Sequence, residues 1–296
     1  MTPAFGPIAT AIAEQTGAPF NPSSIRQLAG GSIHHAWRIE DGERRFFVKT
    51  GTPEKEIIFA AEAAGLRALT QAAVVPTPTF VAQGQSGELS FLVLEFVDLA
   101  ALDRSGGTTL GTWLAELHRA RGPHFGWPAD NFIGTTLQRN SPHPDWPHFF
   151  GDRRLRPQLE LARDNGMDPR LVAQGLEIVK LIGGLFIDYR PVPSLLHGDL
   201  WSGNAGQDPG GRPLLFDPAC YWGDRESDIA MAELFGGFPE SFHVAYRNAW
   251  PLDQGYEARK PLYNLYHVLN HFNLFGGAYL GQAQRMIARL LAMLRR

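Results

Sequence analysis

Between His197 and Asp217 the chain carries three oxygen-bearing side chains of the kinds that phosphoryl transfer requires. Asp199 and Asn204 stand in the run His197-Gly198-Asp199-Leu200-Trp201-Ser202-Gly203-Asn204 with the D-x-x-x-x-N spacing of a kinase catalytic loop. That spacing brings a hydroxyl-orienting carboxylate and a metal-binding amide around one turn. Asp217 follows the hydrophobic stretch Pro213-Leu214-Leu215-Phe216 and supplies a second metal ligand. Mg2+ prefers oxygen donors and keeps several waters, so an amide oxygen, a carboxylate and nucleotide phosphates are a sufficient set. The bland alternative makes these turn residues that cap loops, and leaves the hairpin that delivers Asp217 a coincidence. His197 is expected to brace the loop by bonding to backbone or to Asp217, with general base and metal ligand as alternatives.

A nucleotide also needs a cradle and a cation. Gly30-Gly31-Ser32, between two strand-like runs, would let backbone amides approach phosphate, although a glycine pair in that setting is also an ordinary hairpin turn. Lys49 at the end of a strand and Glu62 on the following helix fit the pair in which a lysine holds the α and β phosphates and a glutamate steadies it. Taken alone they read equally as a snorkelling lysine and a solvated glutamate; their order along the chain favours the pair. Glu95-Phe96-Val97 stands where adenine would meet backbone N–H and C=O groups, or where a plain linker would join two lobes.

The elements that would position these residues fall into two groups. Ile25 to Ala29, His35 to Ile39, Arg45 to Lys49, Thr79 to Ala82 and Ser90 to Val97 read as strands, with Asp41-Gly42 as a hairpin turn. Thr52-Pro53-Glu54 starts a helix whose apolar face runs to Leu69. From Ser105 onward the pattern is mainly helical: Thr109 to Arg119, Trp146 to Arg163, Pro169 to Tyr189, Ser227 to Phe235 and most of Glu257 to Leu294. A short β-like island around 195–216 carries the acidic residues, and 122–147 is the one long irregular stretch. The expected fold is α+β and bilobal, protein-kinase-like, with residues 1–97 as an antiparallel-sheet, nucleotide-binding lobe and 98–296 as a mainly helical catalytic and acceptor lobe.

Composition narrows the classes. The chain has 296 residues, 44% hydrophobic and 19% charged, which suits a globular protein with a large core. A net charge of −3 gives no general attraction for nucleic acid or an anionic membrane, and neither is expected as a partner. One cysteine, Cys220, allows no internal disulfide and has no evident activating base, so a structural place is expected. Met1 to Gly17 lacks the pattern of a secretory signal and no run reaches membrane-spanning length, so a cytoplasmic location is the expectation. Lys49 stands out because only four of the 27 basic residues are lysine. His267 and His271 have the spacing of a zinc pair on a helix but no intervening H-E-x-x-H glutamate, and packing is their expected role.

The chain resembles the fructosamine kinase family, also called ketosamine or ribulosamine kinases, within the aminoglycoside and choline phosphotransferase-like kinases. Leu117-His118, Phe125-Gly126-Trp127, Asp130-Asn131-Phe132-Ile133-Gly134, Gln138-Arg139-Asn140, Asp145-Trp146, Phe149-Phe150 and Arg153-Arg154-Leu155 carry the likeness. So do the catalytic run with its Trp201, Asp217-Pro218-Ala219, Tyr221, Gly223-Asp224-Arg225-Glu226 and Asp228. The resemblance implies ATP-dependent phosphorylation of the sugar 3-hydroxyl of ketosamines, small or protein-bound, to an unstable product, hence deglycation. By position it implies Lys49 and Glu62 as the nucleotide pair, Glu95, Phe96 and Val97 as the adenine hinge, Asp199 as base, and Asn204 with Asp217 as Mg2+ ligands. Trp201, Asn131 and Gln138 are assigned to the acceptor side, with a core position for Trp201 equally open. Ser32 stands where some members have an oxidant-responsive cysteine, so no redox-linked dimer through this turn is expected. Oligomeric state is otherwise open and a monomer is compatible. Choline, an aminoglycoside or another alcohol is the alternative acceptor, and a non-catalytic nucleotide-binding regulator is disfavoured by the presence of Lys49, Asp199, Asn204 and Asp217.

Overall fold

In the protein, a computed structural model describing residues 5–28 and 34–295, Gly30, Gly31 and Ser32 of the expected phosphate loop lie outside the described residues. Helix α1 (Gly6–Thr16) is followed by β1 (Ser24–Leu28), β2 (His35–Asp41), β3 (Arg44–Gly51), helix α2 (Glu56–Ala72), β4 (Phe80–Ser86) and β5 (Leu89–Glu95). The strands form one antiparallel sheet of order β1-β2-β3-β5-β4. Side chains alternate across a strand, so each strand serves two faces. Phe46 and Val48 of β3 with Phe91 and Val93 of β5 pack against Ile8 and Ile12 of α1. Phe47, Leu92 and Leu94 face the other way, onto Phe59, Ala63 and Leu66 of α2. The sheet is thus sandwiched between two helices, and Lys49, two residues after Phe47, is directed to the α2 side. Burial of each of these large apolar side chains contributes about 1.5–3 kcal/mol.

After β5 the chain becomes mainly helical. Helix α3 (Arg104–Leu117) precedes a hairpin of β6 (Asn131–Ile133) and β7 (Thr136–Gln138), then α4 (Trp146–Phe150), a π-helical turn Gly151–Leu155, α5 (Arg156–Asp164) and α6 (Pro169–Leu181). Strands β8 (Ser194–Leu196), β9 (Ala205–Gln207), β10 (Pro213–Leu215) and β11 (Tyr221–Gly223) form two antiparallel ribbons, β9 with β10 and β8 with β11. They are followed by α7 (Glu226–Leu234), α8 (Glu240–Ala249), α9 (Tyr256–Phe275) and α10 (Leu280–Leu294). Helix α9 is buried on nearly every side, as its continuous run Leu262 to Asn270 requires.

Several elements differ from the sequence expectation, three of them in ways the packing explains. Helix α3 starts at Arg104, five residues before Thr109, because Asp103 caps it by accepting from the Gly106 N–H at 2.8 Å. Its glycines look unfavourable for a helix, yet a Cβ on Gly107 would strike Pro239 and one on Gly111 would strike the Phe242 carbonyl, so α8 can approach only there. Helix α8 itself has no counterpart in the expected elements; it buries only Phe242 and Tyr246 fully, too few apolar positions to mark it. The stretch 122–147 contains the β6–β7 hairpin, which buries its polar ends Asn131 and Gln138 and exposes Leu137, the reverse of the usual strand signal.

Candidate active site

Lys49 reaches α2 because β3 and α2 each turn one face to the other. Glu62 occupies the same α2 stripe as Phe59, Ala63 and Leu66. The Lys49 ammonium lies 2.9 Å from both Glu62 oxygens and also contacts the Asp217 carboxylate. Burial works against the ammonium charge, but Asp217 and Glu62 outweigh it and hold the Lys49 pKa above its ordinary value. Burial pushes the Glu62 carboxyl up, with Lys49 opposing. Burial also acts to raise Asp217, but Lys49 prevails and its carboxyl is held below the usual range. Lys49 is thus shared by two carboxylates, and the more open of them, Asp217, faces solvent.

The catalytic run is shaped by its backbone. Gly198 has φ +83°, and a Cβ there would collide with the carbonyl of Ala219. Asp217 also adopts a left-handed conformation, φ +54°, which Asp tolerates better than most residues. The two segments are laced together: Ala219 N–H donates to the His197 carbonyl at 2.8 Å, and Phe216 N–H to the Asn204 carbonyl at 3.1 Å. His197 Nε2 lies 2.9 Å from the Phe216 carbonyl, and the Asp199 N–H donates to its Nδ1 at 3.3 Å. Burial keeps the His197 pKa low, against the pull of Asp228, so the ring braces the loop in its neutral form.

Asn204 Nδ2 donates to the Asp199 backbone carbonyl at 2.9 Å and to Asp199 Oδ2 at 3.1 Å. Its Oδ1 takes no hydrogen bond among the described residues, and the Asp217 side chain is 41% exposed. A free amide oxygen beside a half-open carboxylate is a hard-donor pair that fits Mg2+, with phosphates and water completing the shell. Asp199 is raised to about 7, first by burial and then by the negative charge of Asp217, with the Asn204 N–H opposing. A carboxylate so poised accepts a hydroxyl proton near neutral pH.

The remaining expected residues are placed as follows. Trp201 is 39% exposed, its indole lying over Gly203, at the surface beside Asp199 rather than in the core. At the end of β5, the Glu95 N–H donates to the Thr79 carbonyl at 2.8 Å and the Glu95 carboxylate accepts from Thr79 Oγ1 at 2.7 Å. The Phe96 N–H donates to the Arg45 carbonyl, and its ring lies under the guanidinium groups of Arg38 and Arg45. Half-buried Val97 has an N–H with no partner among the described residues. Asn131 and Gln138 correct the expectation of an acceptor-side place. They are 5% and 1% exposed, and their N–H groups go to the backbone carbonyls of Cys220 and Ala219, so they stand behind the Asp217 loop and present nothing to an acceptor.

Cys220 is buried with its thiol on the Gly65 carbonyl, and burial pushes its pKa up, which leaves it unreactive. His267 is buried and His271 Nδ1 lies 2.8 Å from the His267 carbonyl, its ring packed among Phe235, Phe275 and Tyr279.

One role emerges only in three dimensions. Asp228, buried in α7, accepts from the N–H groups of His197 at 2.7 Å and Gly198 at 2.9 Å, and lies 3.2 Å from His118 Nε2. His118 Nδ1 in turn meets the Tyr246 hydroxyl at 2.8 Å. Burial opposes the Asp228 charge, but His118 and the backbone donors hold its carboxyl below the usual range. The signal in the sequence is a carboxylate followed directly by Ile229-Ala230-Met231-Ala232.

A sheet lobe carrying a Lys–Glu pair, set against a helical lobe carrying the Asp199, Asn204 and Asp217 cluster, defines a kinase of the protein-kinase-like fold. The solved structure of an aminoglycoside phosphotransferase with ADP and hygromycin B shares that fold at TM-score 0.65 and 18% identity, covering 97% of this chain and 98% of that one. The family model for fructosamine kinase matches residues 5–293, and the chain belongs to that family. It is 43% identical to a Vibrio cholerae protein named "Probable ketoamine kinase", over 95% of this chain and 97% of that one. It is 40% identical to the chloroplastic protein-ribulosamine 3-kinase of Arabidopsis thaliana, over 92% of this chain and 84% of the relative. The crystal structure of a candidate fructosamine-3-kinase from Haemophilus somnus superposes with TM-score 0.89 at 32% identity, covering 96% of each chain. Among the described residues no helix is long and apolar enough to cross a membrane.

Proposed function

We propose that the chain transfers the γ-phosphoryl group of ATP to the sugar 3-hydroxyl of ketosamines, the fructosyl or ribulosyl adducts of amines. The single observation that carries the acceptor is the 40% identity to a protein-ribulosamine 3-kinase across nearly the whole chain. The geometry of Asp199, Asn204, Asp217 and Lys49 carries the chemistry.

In this reading Lys49, steadied by Glu62, neutralises the α and β phosphates, and the backbone at Glu95 and Val97 meets adenine. Gly30, Gly31 and Ser32 cradle phosphate. Bound Mg2+ spreads the charge of the phosphates, and Asn204 Oδ1 with the Asp217 carboxylate would hold it. Asp199 orients the acceptor hydroxyl and takes its proton. A bond forms from the acceptor oxygen to the γ-phosphorus as the bond to the bridging oxygen breaks and ADP leaves. Trp201, exposed beside Asp199, offers an aromatic face to the sugar. We divide the chain at residue 97, with nucleotide bound by 1–97 and acceptor by 98–296, and place the protein in the cytoplasm. The acceptor amine can be free lysine or a lysine of a protein.

An ATP-consumption assay across fructosyl-lysine, ribulosyl-lysine, choline and an aminoglycoside tests the acceptor. Turnover confined to the two ketosamines is expected, and turnover on choline or the aminoglycoside alone would overturn the reading.

A further inference from the structure

Behind the Asp217 loop lies a buried relay of side-chain amides that the phosphoryl-transfer chemistry does not itself require. It begins at Arg154, whose guanidinium is fully buried against the Tyr221 ring at 4.0 Å and donates to Asn140 Oδ1 at 2.7 Å. Asn140 Nδ2 donates to Asn131 Oδ1 at 2.7 Å, and Asn131 Nδ2 to the Cys220 carbonyl at 2.7 Å. Gln138 joins from β7: its Nε2 donates to Asn131 Oδ1 at 2.8 Å and to the Ala219 carbonyl at 3.1 Å. Gln138 Oε1 accepts from the Tyr266 hydroxyl at 2.7 Å.

The direction of this relay is fixed. A guanidinium can only donate, so Asn140 must present its oxygen to Arg154 and its nitrogen to Asn131. Asn131, accepting from Asn140 and Gln138, must then turn its nitrogen to Cys220. The polarity set by Arg154 therefore ends as two N–H groups on the carbonyls of Ala219 and Cys220. The Ala219 N–H is itself held by the His197 carbonyl. Pro218 has a fixed φ and no N–H of its own. Every peptide from Pro218 to Cys220 is thus clamped, and the left-handed Asp217 stands at the clamped end.

We propose that Arg154, Asn140, Asn131 and Gln138 form a positioning relay that holds Asp217 in its metal-binding orientation. This rests on the reading above in one respect, that Asp217 is a metal ligand. All four side chains are buried behind the Asp217 loop. Their effect is on where the Asp217 carboxylate points, and hence on how much Mg2+ adds to nucleotide affinity.

The test uses calorimetry of ADP binding to the full chain, with EDTA and with saturating Mg2+; the ratio of the two affinities is the metal's gain. Gln138→Leu is expected to lose roughly ten-fold or more of that gain, in the range seen when outer partners of a metal ligand are removed. Its metal-free ADP affinity should change by less than about two-fold, whereas general loosening of the fold would lower both affinities together. Tyr266→Phe, which keeps both Gln138 donations but frees its carbonyl end, is expected to lose about three-fold. If Gln138→Leu does not fold, Tyr266→Phe decides. A folded variant with the wild-type metal gain overturns the relay. No metal gain in the wild type removes Asp217 as a metal ligand and the relay with it, while wild-type turnover on ketosamines would still uphold the acceptor assignment.

Discussion

Asp228 Oδ2 accepts a hydrogen bond from the backbone N–H of His197 at 2.7 Å, and its partner oxygen accepts from Gly198 at 2.9 Å. A helix carboxylate therefore fixes the two peptides that precede Asp199. Asp228→Asn turns an N–H toward one of these donors and leaves a buried group unpaired, which costs about 1–3 kcal/mol. We expect a lower denaturation midpoint together with a fall in kcat of roughly 10²-fold from a displaced base, while the KM for ATP stays within about three-fold. Equal losses in kcat and nucleotide affinity would contradict a role confined to the catalytic loop.

The role proposed for the Lys49–Glu62 pair is on the nucleotide side. Glu62→Gln keeps the size but replaces one of the two oxygens that hold Lys49, and should raise the KM for ATP about ten-fold, equivalent to ~1.4 kcal/mol. The acceptor KM should hardly move. Steady-state kinetics with each substrate varied in turn separates the two effects, and a change confined to the acceptor would remove the pair from the nucleotide site.

Activity should depend on pH through Asp199. Its carboxyl is raised to about 7 by burial and by Asp217, and only the ionised form accepts the proton. Below that value the competent fraction falls ten-fold per pH unit, so kcat/KM for ATP, which reports the free enzyme, should show an acid limb near pH 7. A limb near pH 4 would mean that Asp199 is not raised or is not the base.

Stability in acid should depend on His267. Burial, reinforced by His271, lowers its pKa from 6.5 to about 3, so the folded protein keeps the ring neutral while the unfolded chain protonates below 6.5. Its contribution is fully present above pH 6.5 and is lost as pH falls toward 3, by about 1.4 kcal/mol per unit. Other buried histidines add to the slope, so the difference from His267→Leu isolates this one. Urea unfolding at pH 7, 6 and 5 should show a shallower fall for the variant; parallel curves would contradict the assignment.

What the sequence discloses divides along physical lines. Asp199 and Asn204 are legible because one loop brings them together, and Lys49 with Glu62 because strand alternation and helix periodicity aim both at one interface. Asn131 and Gln138 were not legible. Amides among aromatics look like a sugar site, and only the fold shows that their partners are carbonyls 89 and 81 residues away. Asp228 and His118, 110 residues apart, meet across two helices for the same reason. The glycines of α3 misled in the opposite direction, since their poor helix propensity is offset by the close packing of α8.

The central claim is the identity of the phosphorylated atom. Phosphorus NMR on the product of ATP and ribulosyl- or fructosyl-lysine, with wild type and Asp199→Ala in parallel, tests it most directly. The account predicts a phosphate ester coupled to the proton on sugar carbon 3 from the wild type and none from the variant. A phosphate on any other oxygen, or an undiminished signal from Asp199→Ala, would contradict it.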